Sequence, residues 1–551
     1  MQLNKEKISE RKRKMGEILL LDCTLRDGGY VNDWNFGHNN LASVFERVVG
    51  AGVDIIEVGF LDERREFDVN RSIMPNSDCV EKIYGDLDRK DTVVVGMIDF
   101  GTCGIENISE CSDSFLDGIR VIFKKHLRNE AMDFCAKLKA KGYKVFAQLV
   151  SITSYEDEEL MDLIRLANEV KPYAVSMVDT YGLMHQENLM HYYELLNKHL
   201  DESIGLGYHS HNNFQMAYAN CIEMLSHKTD RMVLVDGTIY GMGKSAGNAP
   251  IELLAMHLNE HYGKKYDISQ MLEAIDANIM DFYKEHHWGY NMFFYIAASN
   301  DCHPNYVSYL MDKRTLSVKS INEILEKLQG EKKLMYDEKY IEELYVDYQA
   351  KEVNDEKDIL RLTDVFKEKK VLLLGPGNNV KNQKNAIEKF IVDNNPIVVS
   401  INFVSKDIKT DFVFLSNAKR YVQLATTLSN KGKTYEVIST SNVTKTSGNF
   451  EYTLNYGSLL DREADIIDNS FIMLLKVMKK IGVKEVYLGG FDGYHGANHK
   501  DYFNPDMEYK FTSEEAKKLN TYVSNVLQAM KDSMDIVFLT DSLYHEESME
   551  R

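Results

Sequence analysis

The sequence has little of the positive charge that nucleic-acid-binding proteins carry. Its 551 residues include 65 Lys and Arg against 85 Asp and Glu, which gives a formal net charge of -20. Phosphate backbones are bound by basic surfaces, so the whole-chain balance argues against nucleic acid as a partner. An anionic small molecule would need a local cation or a metal ion.

Paired cysteines and long apolar segments are also missing. The seven cysteines are scattered without a Cys-x-x-Cys pair, which argues against a disulfide framework and against a thiolate zinc site. The amino-terminal stretch MQLNKEKISERKRKMGE is charged, and the short apolar run after it fits neither a secretory signal nor a membrane span. We therefore predict a cytoplasmic protein with reduced thiols and no membrane contact.

Between residues 18 and 262, apolar runs alternate with polar stretches of helical length. The runs are ILLLDCTL, VDIIEVGF, DTVVVGMIDF, FLDGIRVIF, YKVFAQLVS, YAVSMVDT, SIGLGYHS and RMVLVDGTI. This order is typical of repeated βα units and a parallel sheet. Eight uninterrupted units predict a closed (β/α)8 TIM barrel, with an open doubly wound sheet as the alternative.

A second α/β pattern follows the barrel. Residues 263 to about 345 are predicted to be mainly helical, and a charged stretch after them is interpreted as a solvated helix or connector. From residue 370 the runs VLLLGPGNN, PIVVSINF, DFVFLSN, KTYEVIST, KEVYLGG and DIVFLT predict a three-layer, Rossmann-like α/β domain. The predicted domains are 17–310 for the barrel, 311–369 for the helical extension and connector, and 370–551 for the second α/β domain.

Polar residues follow the predicted barrel strands at the edge where parallel barrels carry their chemistry. They are Arg26 and Asp27, Glu57, Arg120 with His126 beyond it, Gln148, and Asp179 with Thr180. An Arg-Asp pair after a buried strand is either a salt bridge or part of a site. The other strand ends must decide between these.

His209 and His211 follow the seventh strand two residues apart, so both imidazoles face the same side. They form either a hydrogen-bonded pair or part of a metal site. Asp27 would supply an oxygen ligand, and the loop GMGKSAGNAP could bring the Asn248 carbonyl to the same ion. Two imidazoles with oxygen ligands favour octahedral Mn²⁺ or Mg²⁺ over Zn²⁺.

Taken together, LRDGG, IIEVGF, SMVDTYG, HSHNN and GMGKSAGNAPIELL resemble the metal-dependent pyruvate-type aldolases, lyases and synthases that share an Asp/Arg barrel motif. This family includes 4-hydroxy-2-oxovalerate aldolase, 2-isopropylmalate synthase and hydroxymethylglutaryl-CoA lyase. The resemblance covers roughly residues 17 to 310. It implies a divalent-metal-dependent carbon–carbon lyase that acts on a 2-oxo acid and an aldehyde through a pyruvate enolate.

The resemblance also implies roles for individual residues. Asp27, His209 and His211 match the metal ligands, Asn248 matches an asparagine at or beside the ion, and Arg26 matches the arginine that holds the enolate, with Glu57 orienting it. Gln148, Thr180 and Tyr290 are candidate substrate contacts. The sequence AGNAP followed by Glu252 is most similar to the 4-hydroxy-2-oxovalerate aldolase branch.

The chain differs from that branch at the position of the catalytic base. The branch carries a histidine three residues after the metal aspartate, and this chain has Tyr30, a poor base near neutral pH. His126, Tyr290 and a metal-bound water are the alternatives. A Claisen-type acyl-CoA synthase or lyase, and a scaffold with a vestigial barrel, are the competing functions, and a homo-oligomer is predicted.

In the second α/β domain, Gly375 and Gly377 follow a buried strand, where backbone N–H groups can hold phosphate. The third glycine of the dinucleotide motif is missing. The domain faintly resembles Rossmann-like domains of sialyltransferase-type and pterin-pyrophosphokinase-like proteins. Nucleotide or nucleotide-sugar binding, with Asn378, Asp492 and His495 as candidate residues, is one hypothesis, and a structural or dimerising module is the other.

Overall fold

The chain forms two compact units, Met1–Pro304 and Asn305–Arg551, in a computed structural model. The structure describes residues 16–333, 336–349, 353–405, 407–428, 434–443, 450–462, 464–496, 500–504 and 511–546. The charged amino-terminal stretch therefore lies mostly outside the described residues. Among the described helices, none has the length and apolar character needed to cross a membrane.

The first unit is a closed parallel barrel, as predicted. Its strands are β1 Ile18–Asp22, β2 Ile55–Leu61, β3 Val93–Asp99, β4 Gly118–Phe123, β5 Lys144–Leu149, β6 Ala174–Asp179, β7 Gly205–Ser210 and β8 Val233–Gly237. Each strand pairs with the next, and β1 pairs with both β8 and β2, which closes the barrel. The open-sheet alternative is wrong. A two-residue strand, Ile73–Met74, adds to β2 and was too short to predict.

The barrel strands are buried on both faces, which explains their continuous apolar runs. Along β1, Leu19 and Leu21 pack in the barrel interior with Ile55, Val95 and Phe146. Leu20 points the other way and joins the larger core between strands and helices. The alternation leaves the strand ends free to present polar side chains at one rim, here called the barrel mouth.

The helices of the first unit surround the barrel. They are α1 Thr24–Asp27, α2 His38–Gly50, α3 Asp78–Tyr84, α4 Arg128–Ala140, α5 Asp157–Val170, α6 Gln186–His199, α7 Ala217–Ser226, α8 Ile251–Tyr262, α9 Ile268–Ala274, α10 Met280–Glu285 and α11 Met292–Ser299. A π-helical segment, Ile275–Ile279, joins α9 to α10. Pro250 lies immediately before α8, where its missing N–H costs no hydrogen bond.

The second unit contains a seven-stranded parallel sheet. Its strands are β9 Val371–Leu374, β10 Ile397–Ile401, β11 Phe412–Leu415, β12 Glu436–Thr440, β13 Tyr452–Leu454, β14 Glu485–Gly489 and β15 Asp535–Phe538. They lie in the order β13-β12-β11-β10-β9-β14-β15. Strand β13 was not predicted, because three residues are too few to show a pattern.

The helices of the second unit cover both faces of this sheet. They are α12 Pro304–Asp312, α13 Val318–Leu325, α14 Glu338–Gln349, α15 Glu356–Phe366, α16 Asn379–Asn382, α17 Lys384–Asn394, α18 Ala418–Leu428, α19 Ser470–Lys480, α20 Ser513–Met530 and α21 Leu543–Glu546. One face of β9 packs with α15 and α19, and the other with α17. The charged stretch predicted as a connector contains α15, whose Leu362 and Phe366 are buried.

Candidate functional site

The site begins where β1 ends in one turn of helix. Asp22 starts this turn, since its carboxylate accepts hydrogen bonds from the Thr24 backbone N–H at 3.1 Å and from its hydroxyl at 2.7 Å. The turn brings Arg26 and Asp27 to the barrel mouth, where their side chains are 6% and 0% exposed. Surface salt bridges are open to solvent, and this pair is not. Arg26 and Asp27 therefore belong to a buried cluster.

The end of β7 brings two imidazoles to Asp27. Nε2 of His209 lies 3.0 Å from Oδ2 of Asp27, and Nε2 of His211 lies 3.3 Å from the same oxygen. An isolated antiparallel bridge between His211 and Asn248 holds the loop after β8 against this strand end. Asn248 is buried, and its Nδ2 donates to the Met242 carbonyl at 3.3 Å.

The donor set fits a divalent cation. One ligand atom each from Asp27, His209 and His211 can be chosen so that all lie within 4.8 Å of one another. Oδ1 of Asn248 is buried without a hydrogen-bond partner among the described residues, and Nε2 of His211 is buried with only the Asp27 carboxylate near it, at 3.3 Å. An unpaired buried polar atom is costly, and a cation at this point would satisfy Oδ1 of Asn248 and also bind Nε2 of His211.

The pKa shifts of Asp27 and His211 also suit a bound cation. Burial alone would raise the pKa of Asp27, but Arg26 and the two histidines hold it well below its usual range, so the carboxylate is charged. Burial lowers the pKa of His211, which favours the neutral imidazole that a metal requires. Burial also opposes a proton on His209, but hydrogen bonds to Asp236 and Asp27 raise its pKa.

A closed circuit of alternating charges supports the cluster. Arg26 Nε contacts Glu57 at 2.7 Å, Glu57 contacts Arg120 at 3.0 Å, and Arg120 contacts Asp236. Asp236 then contacts Nδ1 of His209 at 2.9 Å, and Asp27 contacts both His209 and Arg26, the latter at 3.3 Å. We call these six residues, Arg26, Asp27, Glu57, Arg120, His209 and Asp236, the charge ring.

Two members of the charge ring were not predicted as site residues. Arg120 was noted only as a strand end, and Asp236 was overlooked inside VLVDGTI. Both are fully or almost fully buried. A single carboxylate in an otherwise apolar barrel strand was the available signal, because such a group is buried only when it is paired.

The remaining predicted residues lie at different depths. Gln148 is buried, accepts from Arg120 at 3.0 Å and donates to Ser176 at 3.1 Å, and Thr180 accepts from the Ser151 backbone N–H at 2.8 Å. His126 lies in an exposed turn after β4, and Tyr290 is 63% exposed between α10 and α11. Neither of the last two has a recorded contact with the charge ring.

Tyr30 lies at the barrel mouth, 41% exposed, with its ring packed on Trp34. Nζ of Lys244 is 5.6 Å from the centre of this ring, and the Lys244 backbone N–H donates to Asp27 at 3.2 Å. Although part of the side chain is exposed, burial by the surrounding protein raises the pKa of the Tyr30 phenol. That direction opposes a role for Tyr30 as a base at neutral pH.

A second group of potential ligands, Cys23, His209 and Asp236, shares one imidazole with the first. Its Cys23 Sγ lies 3.4 Å from the Gly237 carbonyl, to which it donates. Burial raises the pKa of this thiol well above its usual range, so the thiolate that a metal needs is disfavoured. The Asp27 group is therefore the better metal site.

Comparison with known proteins agrees with this geometry. A family model described as HMGL-like matches residues 17–277. The barrel is an HMGL-like domain. This family contains metal-dependent lyases, aldolases and synthases, so the chain is an enzyme of carbon–carbon bond chemistry. The Asp27 group is a candidate site for the divalent metal that such enzymes use.

Relatives align with about half of the chain. The oxaloacetate decarboxylase of Mycobacterium tuberculosis is 26% identical over 279 residues, which is 48% of this chain and 77% of the relative. A 4-hydroxy-2-oxovalerate aldolase of Marinomonas sp. is 24% identical over 279 residues, covering 49% and 80%. The 2-isopropylmalate synthase of Sulfolobus acidocaldarius is 27% identical over 264 residues, covering 46% and 64%.

In the second unit, the backbone amides of the glycine-rich turn after β9 form hydrogen bonds within the protein. The backbone N–H of Gly375 donates to Gly489 and that of Gly377 to Gly490, both at 2.9 Å. The Asn379 N–H donates to Oδ2 of Asp492 at 2.8 Å, and the Asn378 side chain donates to the Lys500 carbonyl. These three amides are therefore not available to hold a phosphate.

Proposed function

We propose that the barrel makes or breaks the carbon–carbon bond next to the 2-oxo group of a 4-hydroxy-2-oxo acid, with pyruvate enolate as the shared species. The observation that carries this proposal is the convergence of Asp27, His209, His211 and Asn248 beside the buried guanidinium of Arg26. Among these groups, Oδ1 of Asn248 is buried without a hydrogen-bond partner in the described part of the chain. A divalent ion held by these four residues would polarise the 2-oxo group as a Lewis acid.

The chain's own groups would bind and stabilise the reacting anion. Arg26 is held by Glu57 through Nε at 2.7 Å and by Asp27 through Nη1 at 3.3 Å, so its position is fixed before substrate binds. A preorganised cation beside a developing enolate is the kind of electrostatic term that contributes most in such sites. Gln148 is fixed by Arg120 and Ser176, and Thr180 by Ser151, as candidate contacts to the substrate.

A second candidate, decarboxylation of a 4-carboxy-2-oxo acid such as oxaloacetate, is favoured by the state of Tyr30. Aldol cleavage requires a base to remove the proton of the 4-hydroxyl group, whereas loss of CO₂ gives the same enolate without that base. The raised pKa of Tyr30 makes it a poor base. A relative named oxaloacetate decarboxylase supports this alternative.

The first experiment measures exchange of the pyruvate methyl protons in D₂O by NMR, with metal-stripped protein and with Mn²⁺ or Mg²⁺ restored. Exchange that needs the ion and falls at least tenfold in Arg26→Lys would support enolate chemistry. Arg64→Lys is the matched control, because Arg64 pairs with Asp62 outside the charge ring. No exchange with any divalent ion would contradict the proposal and favour the acyl-CoA reaction.

The second experiment separates aldol cleavage from decarboxylation. Pyruvate release is measured from oxaloacetate and from 4-hydroxy-2-oxo acids, in the wild type and in Tyr30→Phe. Aldehyde formation that is lost in Tyr30→Phe would support aldol cleavage with Tyr30 in proton transfer. CO₂ formation that is unchanged in Tyr30→Phe, without aldehyde formation, would support decarboxylation.

Several finer assignments belong to the same proposal. Mn²⁺ and Mg²⁺ are preferred over Zn²⁺ because the donor set mixes imidazole with carboxylate and amide oxygens. The substrate pair is a small 2-oxo acid and an aldehyde. A cytoplasmic location and a homo-oligomeric state remain predictions, which fractionation and light scattering would test.

A further inference from the structure

A cavity of the second unit lies at the carboxyl ends of its central strands. Its volume is about 390 Å³, and its lining includes Gly377 after β9, Asn402 after β10, Asn417 after β11 and Gly490 after β14. Strands β10 to β13 continue from β9 on one side, whereas β14 and β15 lie on its other side. The crevice outside such a reversal point is where open parallel sheets bind ligands.

Two arginines line this cavity, and their backbones bond to the same asparagine. Asn417 Oδ1 accepts from the Arg420 backbone N–H at 3.0 Å, and Asn417 Nδ2 donates to the Arg314 carbonyl at 3.3 Å. Arg420 is only 4% exposed, although it lies beyond the end of a strand rather than in a core. Arginine side chains at a cavity suit phosphate, which they can bind in a bidentate manner.

The acidic side chains of the lining do not oppose an anion as strongly as their number suggests. Lys518 pairs with Asp465 at 3.0 Å, and Arg314 lies 3.9 Å from Glu515. Asp468 accepts hydrogen bonds from Tyr345 and Tyr456, and Asp501 pairs with His495 at 2.9 Å. Asp492 accepts from Asn379, so this carboxylate fills the place at the glycine-rich turn where a phosphate could bind.

Several aromatic rings also line the cavity. Phe471 and Phe491 stack with centroids 4.0 Å apart, and Phe471 also stacks with Tyr544 at 6.3 Å. The guanidinium of Arg314 lies over Phe511, 4.6 Å from its centroid. Aromatic groups and two arginines in one lining match a ligand with both a planar ring and an anionic group. The volume lies in the range of about 300–1000 Å³ typical of small-molecule sites.

We propose that this cavity binds a nucleoside phosphate, with Arg314 and Arg420 contacting the phosphate groups and the aromatic lining contacting the base. The proposal assigns phosphate binding to side chains that follow α12 and β11, not to the glycine-rich turn after β9. It concerns a site separate from the metal cluster of the barrel.

The test uses the full-length protein and calorimetric titration with ADP, GDP, CDP and UDP, each with and without Mg²⁺. Inorganic phosphate, pyrophosphate and the free nucleosides are titrated in parallel. At least one nucleoside diphosphate is expected to bind ten times more tightly than either its nucleoside or inorganic phosphate. Equal binding of inorganic phosphate, or no binding of any nucleoside phosphate at millimolar concentration, would overturn the proposal.

Variants locate the site. Arg420→Gln and Arg314→Gln are each expected to weaken nucleotide binding at least tenfold, while Lys531→Gln, an exposed cation of the same unit outside the lining, leaves it unchanged. Asp27→Asn is expected to bind the nucleotide as the wild type does. Full binding in both arginine variants, or loss of binding in Asp27→Asn, would overturn the assignment. Circular dichroism checks that each variant folds. If Arg420→Gln does not fold, the result for Arg314→Gln decides the assignment.

Discussion

At the scale of single residues, the barrel mouth depends on charges that are buried but fully paired. Arg120 joins Glu57 to Asp236, and Asp236 in turn fixes His209 by its Nδ1. Each partner offsets the desolvation cost of the next, so removing one leaves an uncompensated charge beside it. The arrangement also orients the His209 ring so that Nε2 faces Asp27.

Asp236 is therefore expected to act on metal binding through His209. Asp236→Asn should weaken Mn²⁺ binding by about 10–100-fold, the usual effect of removing the carboxylate behind a histidine ligand. Pyruvate exchange should recover when Mn²⁺ is raised, which a purely structural defect would not allow. Metal affinity is measured by titration of stripped protein.

Asp62→Asn is the matched control for this variant, since Asp62 is a buried carboxylate that pairs with Arg64 at the end of another barrel strand. Its Mn²⁺ affinity should equal that of the wild type. An unchanged affinity in Asp236→Asn would show that His209 does not need its partner.

Asp22 gives a pH-dependent prediction. Burial raises its pKa to about 7, although hydrogen bonds from Thr24 act in the opposite direction. The folded barrel therefore holds a proton that the unfolded chain releases near pH 4, and stability falls as pH rises from about 4 to about 7. Asp22→Asn removes this penalty, because the amide cannot ionise.

The free energy of unfolding of Asp22→Asn, relative to the wild type, should rise between pH 5 and pH 8 by on the order of 2 kcal/mol. Tryptophan emission during urea unfolding measures it, since Trp34 and Trp288 both lie in the first unit. A relative stability that does not depend on pH would contradict the raised pKa.

At the scale of elements, the barrel strands and their closure were predictable, but the side-chain partners that meet across the barrel were not all predictable. The apolar runs identified β1 to β8 because each strand is buried on both faces, so nearly all of its own residues are apolar. Four of the six charge-ring residues were predicted as site residues. Arg120 and Asp236 were not, because they are 116 residues apart and meet only after the barrel closes. In the metal cluster, spacing alone suggested that His209 and His211 share a face, but not that Asp179 accepts from His211 through its carbonyl at 2.9 Å.

The loop after β8 is the element whose backbone most constrains the site. Gly247 has φ of +83°, and a Cβ added there would lie 2.0 Å from the Gly241 carbonyl oxygen. Gly247→Ala must therefore move the loop, including the neighbouring Asn248. We expect at least a tenfold loss of metal-dependent pyruvate exchange in this variant.

Gly263→Ala tests whether backbone strain alone explains that loss. Gly263 also has a positive φ, of +70°, but no atom lies within 4 Å of an added Cβ. Strain of about 1 kcal/mol is expected there without loss of exchange. Equal losses of exchange in both variants would mean that displacement of Asn248 is not the cause.

At the scale of the whole molecule, a net charge of -20 surrounds a site that, under the proposed function, accepts an anionic 2-oxo acid. The charge ring holds two arginines against three carboxylates, so with His209 neutral it is itself anionic. A divalent cation would make the barrel mouth positive overall while the molecule stays acidic. Cation binding and folding of the barrel should therefore be linked.

Mn²⁺ is expected to stabilise the barrel by mass action. At a free concentration of about 100 times its Kd, a ligand that binds only the folded state adds about 2.7 kcal/mol to the free energy of unfolding. Urea unfolding followed by tryptophan emission reports this for the first unit, which contains both tryptophans. In Asp27→Ala the added stability should disappear, because the carboxylate that faces both imidazoles is gone. Equal stabilisation of Asp27→Ala and the wild type would mean that Mn²⁺ binds elsewhere on this acidic protein.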